Sequence, residues 1–213
     1  MTNTTGSYPA RLDIDYPGEL DRVTTFFRLI WIIPIGLLYY VLSAAASWTI
    51  VTDTGETISR STGGIATGLA LVTMLMIVFR QRYPRWWFDF AKEFTRFGMR
   101  VGVYLFLMTD QYPSTVEEQS VHLELDYPDV EKDLNRWLPL VKWLLAIPHY
   151  IVLVFLVIGA LFVWIIAWFA ILFTGRFPQS LFDYMVGVGR WGLRVEAYAF
   201  LMLTDDYPPF SLD

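Results

Sequence analysis

From Trp143 to Phe173 the chain runs for 31 residues without a Lys, Arg, Asp or Glu, and this run decides which solvent the fold must meet. At a helical rise of ~1.5 Å per residue it exceeds one untilted crossing of a ~30 Å hydrocarbon core and is barely enough for two. We read it as a tight helical hairpin turning near Gly159, with Lys142 snorkelling from a helix that begins near Trp137. That reading puts spans at about 137–158 and 160–174. A single long, tilted helix broken at Pro148 is the alternative. Leu29 to Val51, 23 residues without a charge, reads as another span. The polar loop Thr52 to Gly64 then leads to a shorter span at about 63–79, stopped by Arg80 and Arg82. With 55% hydrophobic and 17% charged residues the chain is too apolar for an ordinary water-soluble domain.

Lys and Arg set the expected orientation, because cytoplasmic segments retain them. With four spans, Arg60 is the only one of the 16 on the loop side, so both termini and the central segment face the cytoplasm and Thr52 to Gly64 faces outward. The first 28 residues carry Asp13, Asp15, Glu19 and Asp21 and lack a small-residue cleavage site, unlike a secretory signal peptide. Trp and Tyr near the ends of the apolar runs suit the headgroup region. Cysteine is absent, which excludes disulfides, thiolate metal sites and cysteine nucleophiles. A net charge of −5 and the lack of a basic tract argue against nucleic acid.

The chain also resembles itself. Leu12-Asp-Ile-Asp-Tyr-Pro17 recurs as Leu123-Glu-Leu-Asp-Tyr-Pro128, and Arg22, Arg28 and Pro34 recur as Arg136, Lys142 and Pro148. Beyond the apolar runs, Phe79, Arg82, Phe88-Asp89, Arg96, Gly98, Arg100 and Tyr104 recur 94 residues later, ending at Tyr198. Thr109-Asp110-x-Tyr-Pro113 recurs as Thr204-Asp205-x-Tyr-Pro208. Matching polar motifs should occupy matching environments, which favours two spans per copy. The expected fold is an all-α integral membrane protein of two tandem repeats, each a transmembrane hairpin plus an amphipathic interfacial helix, with short cytoplasmic β-strands. The first repeat is 1–113 with its interfacial helix at about 85–108; a linker covers 114–120; the second repeat is 121–213 with its interfacial helix at about 179–203.

The L-x-x-D-Y-P opening, the segment Phe173-Thr-Gly-Arg-Phe-Pro178 and the closing Thr204-Asp-Asp-Tyr-Pro-Pro-Phe210 resemble the bacterial membrane family known as domain of unknown function 4389. The second copy is the closer match, since the first has Arg80-Gln81 for Thr-Gly and Pro113-Ser114-Thr115 for Pro-Pro-Phe. The resemblance extends over about nine tenths of the chain. It implies a multi-pass protein of the bacterial cytoplasmic membrane and brings no activity with it.

From Arg85 to Arg100 the charges of Asp89, Lys92, Glu93, Arg96 and Arg100 form one helical stripe opposite Trp87, Phe90, Ala91, Phe94 and Phe97. The second copy repeats it with Asp183, Arg190 and Arg194. On this reading Arg96, Arg100, Arg190 and Arg194 make a cationic collar for anionic lipid headgroups or an acidic protein partner. Structurally they would instead be satisfied by Asp89, Asp183 and the helix ends. Arg11 to Asp15 and Val121 to Asp126 alternate apolar and polar residues and read as strands able to pair between the copies. Their carboxylates, Asp13, Asp15, Glu124 and Asp126, read as a solvated face without a metal. His149, replaced by Ile35 in the first copy, reads as structural or interfacial. Gly187-x-Gly189 lacks a nucleotide-loop context. No catalytic set and no cofactor site are expected. The expected function is that of a membrane accessory or scaffold protein, with a small transporter or channel between the repeats as the alternative.

Overall fold

A computed structural model of the chain describes residues 8–43, 46–51, 57–62 and 64–213, which are mostly helical. The order is β1 (Ala10–Ile14), α1 (Arg22–Phe26), α2 (Arg28–Trp31), α3 (Ile33–Ser43), β2 (Ala46–Val51), β3 (Thr57–Thr62), α4 (Ile65–Arg80) and α5 (Arg85–Leu105). Then follow β4 (Val121–Leu125), α6 (Val130–Asp133), α7 (Pro139–Leu145), α8 (Ile147–Thr174) and α9 (Gln179–Ala199).

Two expectations about the apolar runs are corrected. The turn near Gly159 does not exist, because α8 runs unbroken from Ile147 to Thr174. Nothing in that run but Gly159 favours a turn, and opening the helix would strip backbone groups of partners among apolar side chains. Gly159 serves a close approach instead: a Cβ there would lie 2.5 Å from the Tyr184 hydroxyl, which donates to the Leu156 carbonyl at 2.9 Å. Pro148 sits in the first turn of α8, where its missing N–H costs nothing, and the break falls at Ala146. α8 is the one described helix long and apolar enough to cross a membrane.

The expected span from Leu29 to Val51 is likewise not one helix. Helix covers Arg22 to Ser43 in three pieces, and Ala46–Val51 is a strand paired antiparallel with Thr57–Thr62. The segment Ser47-Trp-Thr-Ile-Val51 is rich in residues that favour strands. The rest of the expected outer loop, 52–56 and Gly63, lies outside the described residues. At 11 and 16 residues, α3 and α4 are each shorter than a crossing requires.

The remaining elements form three layers. β1 and β4 pair antiparallel with Leu12 opposite Leu123. Alternation buries Ala10, Leu12 and Ile14 of β1 and Val121, Leu123 and Leu125 of β4. Under this pair lie α5 and α9. On α9, Gly189 and Arg190 face β1, whereas Tyr184, Trp191 and Tyr198 meet α8 and α7 on the opposite side. On α5, Arg96 meets β4 while Trp87 and Gly98 meet α4 and α3 on the opposite side. The third layer, α3, α4, α7 and α8, presents outward a continuous set of exposed apolar residues, among them Leu37, Val41, Leu75, Trp143, Phe155 and Phe162.

Candidate functional site

The four collar arginines do not come together as a patch. Arg96 pairs with Glu93 and donates to the Leu123 carbonyl of β4 at 3.3 Å. Arg190 donates to the Leu12 carbonyl of β1 at 2.9 Å and pairs with Asp13 at 3.0 Å. Each therefore clamps the strand that belongs to the other half of the chain. Arg100 and Arg194, only 8% and 7% exposed, lie deeper. Arg100 donates to the Ser114 carbonyl, and Arg194 donates to the carbonyls of Ser211 and Asp213, so they tie down the segments that follow α5 and α9. Burial lowers the pKa of both.

The same reciprocity recurs elsewhere. Tyr16 donates to the Phe177 carbonyl and Tyr127 donates to the Tyr83 carbonyl, two bonds between matching positions that cross between the halves in opposite directions. Arg28 pairs with Asp110 and lies 4.0 Å from the ring centre of Tyr104. Lys142 pairs with Asp205 at 2.8 Å and lies 5.3 Å from that of Tyr198. Arg28 and Lys142, 1% and 0% exposed, are held where the helices begin beneath the polar layer. The carboxylates also bind backbone: Asp110 accepts from the Asp21 N–H at 2.7 Å and Asp205 from the Asn135 N–H. Both closing Thr-Asp motifs were visible in sequence as repeats; their pairing with a buried cation 62 or more residues upstream was not.

His149 is fully buried, stacks on Phe210 at 4.0 Å and accepts from the Trp191 indole at 3.0 Å, which is a packing role. The strand carboxylates are paired rather than convergent: Arg11 holds Glu124 and Asp126, and Asp15 meets His122. Among the described residues, no group of three or more His, Asp or Glu side chains could hold a metal.

A cavity of about 600 Å³, which no repeat motif announced, lies where α3, α4, α5, α8 and α9 meet. Its walls are mostly apolar. Glu196 of α9 lines it, with its Oε1 accepting from the Thr95 hydroxyl at 3.3 Å across the cavity's edge. Burial among apolar groups pushes the Glu196 carboxyl up from its ordinary value of 4.5. Sequence reasoning passed over Glu196, yet a signal existed: with Arg194 it is one of only two charged residues in the otherwise apolar stretch Leu193 to Leu203, at and beyond the end of α9.

Residues 137–211 match a protein family described as Domain of unknown function (DUF4389). The match covers one unit, α7 to the segment after α9, and includes Lys142, Arg190, Arg194 and Asp205. It is narrower than the resemblance across both halves. No curated protein and no solved structure matches the chain.

Proposed function

We propose that this chain is a non-enzymatic scaffold or accessory protein of the bacterial cytoplasmic membrane, built from two tandem copies of one unit and seated in the bilayer from one side. The observation that carries this reading is the opposition of its outer faces. The strand pair exposes Asp13, Asp15, Glu124 and Asp126, and the layer of α3, α4, α7 and α8 exposes large apolar side chains. Because α9 packs along α8 and carries β1 on its other face, an α8 standing across the bilayer would drag those carboxylates to lipid depth, which is costly. Lying in the plane of the membrane, α8 buries its outward face in acyl chains while the strand pair stays in water. Two copies are supported by the matching bonds that Tyr16 makes to Phe177 and Tyr127 to Tyr83, and that Arg96 makes to Leu123 and Arg190 to Leu12.

This seating replaces the four-span arrangement with one that has no outward-facing side, so every cytoplasmic and loop position should be reached from the cytoplasm. A lipid headgroup or acidic partner then meets the collar through the exposed Arg82, Arg85 and Arg176 rather than through the buried Arg100 and Arg194. The absence of cysteine permits a clean test. Single Cys variants at Glu124, Ser211 and Glu56 are treated with a membrane-impermeant maleimide in inside-out and right-side-out vesicles. All three should label in inside-out vesicles only. Labelling of Glu56→Cys from the opposite side would restore the four-span topology.

A further inference from the structure

We propose that the cavity between α3, α4, α5, α8 and α9 is a binding site for an uncharged, membrane-soluble molecule whose head carries a hydrogen-bond-accepting carbonyl. The space is of the size that small-molecule sites have, with an apolar wall and few polar groups. Two of those groups lack what they need. Tyr150 lines the cavity, and its buried hydroxyl has no hydrogen-bond partner among the described residues. Glu196 receives one bond at Oε1 from Thr95, and no described residue donates to its second oxygen. Tyr150 packs 6.3 Å from Phe200, one turn beyond Glu196, so both groups belong to one end of the cavity.

Charge decides the class of head. Among the described lining residues Glu196 is the only charged type, and the other polar lining side chains are Tyr150 of α8, Thr95 of α5, Tyr39 of α3 and Thr67 of α4. With no cation among the described lining residues, burial shifts the Glu196 carboxyl toward its protonated form, in which it is a donor into the same cavity as the phenol of Tyr150. Two donors in an apolar space call for an acceptor. An anionic head finds no Lys or Arg here, and a head that only donates leaves both donors unmet.

The halves differ at this place in a way that opens the space. Counted back from their left-handed caps, Gln81 and Gly175, Ala70 of α4 corresponds to Trp164 of α8. Trp164 fills its side of the junction and donates to the Leu105 carbonyl at 3.1 Å. Ala70 lines the cavity instead. Glu196 and Thr95 correspond to Gly102 and Gly189, so the polar pair too is confined to this side. The cavity reaches the surface at Ala66 and Thr67, both exposed, on the layer that carries the apolar face. Only this route of access from lipid rests on the membrane seating proposed above; the site itself does not.

Gly192 supplies the decisive variant, because it lines the cavity and a Cβ placed on it meets nothing within 4 Å. Gly192→Leu should fill the site without a clash and keep the melting temperature of the purified protein. The probes are three ten-carbon amphiphiles, 2-decanone, decanoate and decylamine, titrated into protein in lipid nanodiscs and read by tryptophan fluorescence. The ketone should bind saturably and at least roughly tenfold more tightly than the other two. Gly192→Leu should abolish that binding, and Tyr150→Phe should weaken it by roughly tenfold. Ketone affinity should fall in alkaline buffer for the native protein and stay level for Glu196→Gln. Saturable binding unaffected by Gly192→Leu, no saturable ketone binding, or preferential decylamine binding lost in Glu196→Gln would each overturn the proposal. The vesicle-labelling result is independent of all three.

Discussion

At the scale of single residues, the buried Lys142 and the half-buried Glu196 each couple charge to stability. Lys142 has no exposed surface and depends on Asp205, which also accepts from the Asn135 N–H. Removing the carboxylate as Asp205→Ala should destabilise the protein by about 3–5 kcal/mol, because an ammonium is left buried and unpaired. The double variant Lys142→Met with Asp205→Leu should recover most of the loss, as an apolar pair needs no counter-charge. Thermal melts of the three proteins in one detergent check this. Glu196 behaves in the opposite sense. Its folded pKa is raised, so the folded state holds a proton that the unfolded chain releases above 4.5. The stability associated with that proton is full below the unfolded pKa and is lost as pH rises through the folded one. Melting temperature should therefore fall with rising pH more steeply for the native protein than for Glu196→Gln.

At the scale of elements, the arginines of α5 and α9 act as struts. Arg96 and Arg190 each hold a strand of the other half by its backbone carbonyl, so a strand pair of five residues per strand is kept on its helices. An isolated two-stranded ribbon is marginal in water, which is why the struts matter. Replacing both by Ala should raise hydrogen exchange across Ala10–Ile14 and Val121–Leu125 while leaving α8 and α9 protected, with co-purified lipid unchanged. Equal exchange in the variant and the native protein would show that burial of Leu12 and Leu123 alone holds the strands. The two strands were legible in sequence because their apolar residues alternate. The clamp was not, because Arg96 and Leu123 lie 27 residues apart and Arg190 and Leu12 lie 178 apart, with no periodicity linking them.

At the scale of the whole molecule, the two halves complete each other. β1 covers α9, β4 covers α5, α1 packs on α8 and α7 packs on α4. Each half alone would expose what the other covers. If the chain is split in the exposed linker between Glu117 and Glu118 and the pieces are co-expressed with one affinity tag, both should be recovered from membranes in equal amounts. The second piece expressed without the first should be lost to proteolysis or aggregate, and its recovery as a stable monomer would show that the halves are independent. This mutual cover also explains the outward apolar layer. With the polar strand pair on one side and the inner faces of α5 and α9 already occupied, the outer faces of α3, α4, α7 and α8 are left uncovered by the described residues.

Composition and sequence pattern determined by themselves that helices dominate this chain, that it carries one run apolar and long enough to cross a membrane and that two short strands alternate apolar and polar residues. These are local properties, set by side-chain transfer and by periods of two or three to four residues. Tertiary structure alone decided that α8 does not fold back at Gly159, since only the approach of Tyr184 gives that glycine its use. It alone decided that Arg100 and Arg194 turn inward, because their carbonyl partners lie in segments without regular structure that no helical period predicts. And it alone placed Glu196 beside Thr95, 101 residues away, in a space that exists because Ala70 stands where the other half has Trp164.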